Sequence, residues 1–242
     1  MADEPERSGS GAPIWRHQSR KRDFEVATGD SESIKKIGEH LARHVGPVAS
    51  VFHEIVSDLV HVDVHLVEPT PERNFYTLVT SGMSDRAMAA PEQYRDLRHA
   101  ELLVCLPPTW QLTQEAFKDE ANYWPVRWLK MLARLPHEYK TWLFASHTVP
   151  NGDPARPFAA NTELCCALLL RPVLFGRAFR TLRIDDEKAV HFLALVPLHR
   201  EEMEFKLNQG NDALVELLDA GDVTELLDVR RPNVCAKSGG RS

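Results

Sequence analysis

The spacing of apolar and polar positions divides the chain into stretches with helical and extended periods. In "SESIKKIGEHLARHVGP", Ile34, Ile37, Leu41 and Val45 share one helical stripe. This predicts a helix with Ser31 as N-cap, stopped by Gly46 and Pro47. Further on, Val62, Val64 and Leu66 alternate with His61, Asp63 and His65, the period of a strand. "NFYTLVTSG" is a second strand, rich in aromatic and β-branched residues, and "EPTPER" between the two reads as a hairpin loop. "AELLVCLPP", residues 100–108, is apolar throughout until its prolines, as a strand covered on both faces would be.

"WPVRWLKMLARLP" carries the clearest helical stripe, with Trp124, Trp128, Met131, Leu132 and Leu135 on one side. Pro125 suits a first turn, and Pro136 disfavours continuation. Tryptophans at that spacing predict core packing. "SHTVPNGDPARPF" reads as a long loop braced by Pro150, Pro154 and Pro157. "TELCCALLLRP" is another buried strand, and "FRTLRIDDEKAVHFLALVPL" a hairpin turning at Asp185-Asp186. "HREEMEFKLNQG" and "NDALVELLDAG" predict two short helices, each closed by a glycine, Gly210 and Gly221.

This order lacks the regular βαβα rhythm of a doubly wound sheet. It predicts a single α+β domain over residues 31–236, with a mixed β-sheet and packed helices. Residues 1–30 are polar and charged, which predicts a disordered tail in which Ile14, Trp15 and Phe24 dock at most locally. Residues 237–242 form a second polar tail.

Composition narrows the class. Of 242 residues, 43% are hydrophobic and 26% charged, enough apolar material for one sizeable core. A net charge of −6 argues against a nucleic-acid partner, which calls for a basic face. The tight basic cluster "RKR", Arg20–Arg22, sits in the predicted tail and reads as solvated charge. Cys105, Cys165, Cys166 and Cys235 form no CxxC pair, so they read as small core residues in a reducing compartment. The first residues lack the apolar segment of a secretory signal, and no run of 18 apolar residues predicts a membrane span. A cytoplasmic protein without membrane contact is expected.

No GxSxG, GxxxxGK[ST], GxGxxG or HExxH motif occurs. The acids at 185–187 sit in a predicted turn, where solvated carboxylates are usual. "HVDVH" at 61–65 has the residue types of a metal site. On a straight strand, however, His61 and His65 stand about 13 Å apart and converge poorly with Asp63. A site there would need help from His53, Glu54 or His147. The simpler reading is an ordinary strand with valines inward and polar residues outward. "TSGMSD" ends a strong strand at Gly82 and is expected to expose Met83, Ser84 and Asp85, either as a plain turn or as a partner-binding loop. In "HTVPNGDP", His147, Asn151 and Asp153 are chemically capable, but no nucleophile with a base stands beside them.

"VFHEIVSDLVHVDVHLVEPT", "FYTLVTSGMSD", "AELLVCLPPTW", "WPVRWLKMLARLPHEY", "HTVPNGDP", "LVPLHREEMEFKLNQGNDALVELL" and "VRRPNVC" occur in that order. Together they make the chain resemble the Suppressor of fused (SUFU) domain family from about Ser31 to Cys235. Eukaryotic members of that family restrain Hedgehog signalling by gripping a peptide of Gli transcription factors, with a second domain completing the cleft. The chain looks like the single-domain bacterial form, for which immunity against polymorphic toxins is proposed.

The resemblance therefore implies a non-catalytic protein-binding module whose partner is another protein or peptide, with a toxin as one candidate. It needs no cofactor, and no metal ligands are assigned. The residues expected to meet the partner are Ser81, Gly82, Met83, Ser84, Asp85, His147, Asn151 and Asp153. Two other functions stay open. One is a metal-dependent enzyme using His61, Asp63, His65 and a loop histidine such as His147; the other is a scaffold that sequesters a transcription factor.

Overall fold

The computed structural model describes residues 5–18, 22–54 and 57–236. Arg20 and Lys21 of the basic cluster and the predicted tail 237–242 lie outside the described residues. Within the stretch predicted as an N-terminal tail, β1 (Glu6–Arg7) and β2 (Pro13–Ile14) pair antiparallel. This small hairpin touches the other end of the chain, where the Ser10 N–H donates to the Leu207 carbonyl. Ile14 is half-buried, but Trp15 and Phe24 stay exposed, so local docking by those two does not occur. Charge holds the following segment instead. Arg22 pairs with Asp58 and Glu138, and Glu25 with Arg86.

The first long helix, α1 (Ser31–His44), buries Ile37 and Leu41 as its stripe predicts. Its N-cap is Asp30 rather than Ser31, and the Asp30 carboxylate accepts from the Glu32 N–H at 3.1 Å. A carboxylate at that position satisfies an orphan donor and complements the positive end of the helix dipole, which a serine does only in part. Next comes β3 (Val48–Phe52), an edge strand absent from the sequence reading. Its exposed Ala49 and Ser50 leave no alternation to read.

The predicted hairpin forms from β4 (Asp63–Val67) and β5 (Tyr76–Ser81), paired antiparallel with Leu66 opposite Leu78. Beside it runs β6 (Ala100–Leu106), central and buried along its whole length. The central helix, α2 (Glu120–Tyr139), starts four residues before the predicted Trp124 and continues through Pro136. The Asp119 carboxylate caps it by accepting from the Ala121 N–H. Burial of its apolar face outweighs the backbone hydrogen bonds that Pro125 and Pro136 forgo. Trp124 stacks on Phe158, and Trp128 meets the same ring edge-on. Met131, placed on the predicted core stripe, instead lies at the exposed rim.

Part of the predicted loop after Ser146 is β7 (Thr148–Pro150), an outer strand paired with β8 (Cys166–Leu170). The chain then forms the predicted hairpin of β9 (Thr181–Arg183) and β10 (Ala189–Leu198), turning where Asp185 accepts from the Glu187 and Lys188 N–H groups. Two helices follow, α3 (Arg200–Gln209) and α4 (Asn211–Ala220), as expected.

The main sheet has eight strands in the order β3-β4-β5-β6-β10-β8-β7, with β9 also on β10. The β6–β10 pair is parallel and the other pairs are antiparallel, so the sheet is mixed as predicted. One face packs Val64, Leu78, Leu102 and Val104 against Trp124, Trp128 and Leu132 of α2. The other joins Val79, Leu103 and Phe192 to Ile37 and Leu41 of α1. A third cluster seats Leu214 and Leu218 of α4 on β8 and β10. Cys105, Cys165 and Cys166 are buried thiols, and all four cysteines are free.

Candidate functional site

The turn at 81–85 faces inward. Ser81, Gly82, Met83 and Ser84 are buried, and Asp85 is only half-exposed. The expectation that Met83, Ser84 and Asp85 stand exposed is therefore corrected. The cause is Glu101, a fully buried carboxylate on β6 that the sequence reading passed over. Its Oε1 accepts from the Gly82 N–H at 2.9 Å, the Ser84 N–H at 2.9 Å and the Ser84 hydroxyl at 2.7 Å. Its Oε2 accepts from the Thr80 hydroxyl at 2.6 Å. Burial pushes the Glu101 carboxyl up, while these hydrogen bonds pull it back down.

Gly82 has φ of +103°, and a Cβ there would lie 1.8 Å from the His61 carbonyl oxygen. Only glycine fits this crossing. The His137 ring donates to the Met83 carbonyl, which fastens the turn to α2. Asp85 accepts from the Asp30 N–H at 3.0 Å, and burial pushes its carboxyl up.

"HVDVH" is not a solvent face either. Asp63 and His65 are buried: Asp63 under His53, Glu54 and His61, and His65 against β5 on the face shared with Val79. His65 bonds the Ser81 hydroxyl at 2.9 Å, and burial pushes its pKa down. Asp63 and His61 instead meet His53, with donor atoms all within 4.8 Å of one another. His147 is elsewhere, edge-on to Trp142, with its pKa lowered by burial. The set His61, Asp63, His65 and His147 is thus not brought together.

A broad cleft of about 540 Å³ opens between the outer side of α2 and β7. Tyr123, Trp128, Met131 and Leu135 supply its apolar wall, facing Val149 and Pro150. On its charged rim Arg134 pairs with Glu54, while Arg127 pairs with Glu120 and Glu138 with Arg22 just outside it. Asn151 lines it and fixes the adjoining loop by donating to the Arg156 and Pro157 carbonyls. Asp153 stands exposed in the same loop and pairs with Arg16 at 2.6 Å. His17 stacks on Tyr139, another cleft residue. His147, Asn151 and Asp153 therefore belong to one neighbourhood around β7, whereas 81–85 meets the far end of α2.

The β7 edge carries specific chemistry. The Leu169 N–H donates to the His147 carbonyl, and the Asn151 N–H to the Cys165 carbonyl. With that alternation, the Thr148 N–H and C=O point away from β8, along the rim of the sheet. The loop reading missed this because a proline in a three-residue strand signals a break; Pro150 is tolerated because β7 is an edge.

A mixed sheet packed with helices, bearing an open cleft along one free edge, defines an α+β domain with an extended surface groove. The family model for Suppressor of fused protein (SUFU) matches residues 58–232, more than half of the chain, and the chain belongs to that family. A comparison with curated protein sequences gives no match. Among solved structures, the fold is similar to a suppressor of fused homolog from Neisseria gonorrhoeae, with a TM-score of 0.63 and 18% identity, covering 85% of this chain and 98% of that one. It is also similar to a chain of the Sufu-Fu complex, with a TM-score of 0.55 and 14% identity over 83% of this chain and 90% of that one. Drosophila Suppressor of Fused gives a TM-score of 0.56 at 14% identity; 83% of this chain spans 50% of that protein. Among the described residues, no helix is long and apolar enough to cross a membrane.

Proposed function

We propose that the chain is a protein-binding module that takes an extended segment of a partner protein along β7 and across the α2 cleft. The observation that carries this reading is the outward Thr148 edge beside an apolar wall. Main-chain pairing to a sheet edge supplies affinity, and alternate side chains entering a neighbouring groove supply selectivity. One similar structure is a complex of a Sufu protein with Fu, which supports a protein as partner. The partner we propose is a toxin-type protein neutralised by occlusion. A net charge of −6 would speed its capture if its surface is basic. Asn151, His147 and Asp153 flank the groove, and the 81–85 turn supports it by anchoring α2 through Met83 and His137.

Met131 is exposed on the groove wall, so Met131→Glu places a charge there without entering the core. Capture of the partner from native lysate is expected to fall at least about tenfold, with the thermal midpoint unchanged. Asp85→Arg is expected to keep capture. The opposite pattern, with capture lost in Asp85→Arg and intact in Met131→Glu, would move the site to the turn and overturn this reading.

A further inference from the structure

His53, His61 and Asp63 lie at the end of β3 and the start of β4, and the residues behind them fix how they face one another. The Ser57 hydroxyl has one hydrogen and donates it to Glu54 Oε2 at 2.8 Å. Ser57 Oγ therefore accepts from His61 Nδ1–H at 2.7 Å. With its hydrogen on Nδ1, a neutral His61 presents the Nε2 lone pair, which faces Asp63 Oδ1 at 3.2 Å. Two acceptors then oppose each other at a carboxylate that is only 5% exposed, an arrangement that needs either a proton on Nε2 or a metal cation between them. His53 Nδ1 lies 2.9 Å from the other Asp63 oxygen.

We propose that His53 Nδ1, His61 Nε2 and one Asp63 oxygen bind a single divalent ion of the zinc class. Two imidazole nitrogens and a carboxylate oxygen form a three-ligand set for such an ion, with a fourth position left to water or to a partner's side chain. Zinc bonds of about 2.0–2.2 Å put tetrahedral donors roughly 3.4 Å apart; the two histidine–Asp63 separations are close to that, and with all donors within 4.8 Å the His53 ring is the part that must close in. The His53 side chain is 70% exposed, so its ring can make that adjustment without disturbing the core, and the ion can enter from its side.

The Glu54–Ser57–His61 relay is the supporting shell such a ligand needs, because it sets both the tautomer and the ring orientation. The Glu54 N–H also donates to Asp63 Oδ1 at 3.1 Å. Of the nearby cations, only the Lys130 ammonium also acts on Asp63, as a through-space charge and not as a bonded partner. Arg134 pairs with Glu54, and the Lys130 ammonium donates to the Phe52 carbonyl. A bound ion would tie His53, just after β3, to Asp63 at the start of β4. Glu54 beside it also lines the α2 cleft, but the site stands without the partner-binding reading.

The test titrates Zn²⁺ alone into the tag-free full chain, stripped with chelator, by calorimetry, and follows Co²⁺ by visible absorption. One ion per chain is expected, with a Co²⁺ spectrum of low coordination number and a higher thermal midpoint when zinc is present. His53→Ala is expected to weaken zinc binding by about tenfold or more and to stay folded without metal, its midpoint falling only slightly because water can replace the exposed His53 ring at Asp63. Asp63→Asn gives a second removal of a ligand. No zinc binding by the wild type at millimolar concentration would mean that a proton on Nε2 occupies the gap, and would overturn the proposal. Equal affinity in the wild type and a folded His53→Ala would place the ion elsewhere and overturn it as well.

Discussion

Glu101→Ala is expected to lower the stability of the fold by about 4 kcal/mol or more, among the largest effects of any single side chain here. The carboxylate is fully buried and serves four donors, the Gly82 and Ser84 N–H groups and the Thr80 and Ser84 hydroxyls. Truncation leaves these donors facing a cavity, and an unsatisfied buried donor costs about 1–3 kcal/mol. Water entering the cavity would recover part of that loss, so the sum falls below four full penalties. Glu101→Gln keeps the shape and one acceptor oxygen, and is expected to cost roughly half as much. Urea denaturation followed by the fluorescence of buried Trp124 and Trp128 separates the two variants. A loss under about 1 kcal/mol for alanine would show that the turn does not depend on this hub.

The same residue shows where the sequence could be read and where it could not. Strong periodicity carried the hairpin of β4 and β5, the buried run of β6 and the tryptophan stripe of α2, because each buries a continuous apolar face. The edges carried no such signal. β3 exposes Ala49 and Ser50, and β7 contains Pro150, so neither shows an alternation that burial would impose. The free edge at the centre of the proposed binding site therefore reads as loop; Asn151 stands out in it, whereas the apolar wall of α2 reads only as core.

Polar residues misled the reading in the opposite direction. "SGMSD" and "HVDVH" look like surface, yet Ser81–Ser84 and Val62–His65 are buried against partners elsewhere in the chain. Glu101 lies 17 residues beyond Ser84, and the fold brings His53 against Asp63, 10 residues on. Alternation shows which residues share a face, but not whether a helix such as α1 later covers that face. The His53–His61–Asp63 cluster is half visible for the same reason. Strand spacing groups His61 and Asp63 with His65 and leaves His53 one of several residues that could complete a site; tertiary contact selects His53 and sends His65 to Ser81.

Arg231→Met is expected to cost about 3–5 kcal/mol at neutral pH, through the charge it leaves behind. Arg231 reaches Glu202 with both terminal nitrogens, at 2.6 and 2.5 Å, and also donates to the Pro197 carbonyl at 2.8 Å. Glu202 is fully buried on α3, and its carboxylate also accepts from the His199 and Val234 N–H groups. These contacts hold the final described segment against α3 and β10. Burial alone would push the Glu202 carboxyl up, but the Arg231 bonds and charge outweigh it and hold it below the ordinary value of 4.5. A depressed carboxyl stabilises the fold above its unfolded pKa, and that contribution is lost as pH falls through the folded value. Without Arg231, burial dominates and the shift reverses, so the variant loses stability as pH rises instead. The difference between wild type and variant should therefore be largest near pH 7 and shrink as pH falls below about 4.5. Replacing both residues by methionine removes the stranded charge and is expected to restore most of the loss. Urea midpoints of the three proteins at pH 4 and pH 7 decide the matter. A gap that does not change with pH would mean that Arg231 acts by packing and by its bond to the Pro197 carbonyl, not through the Glu202 charge.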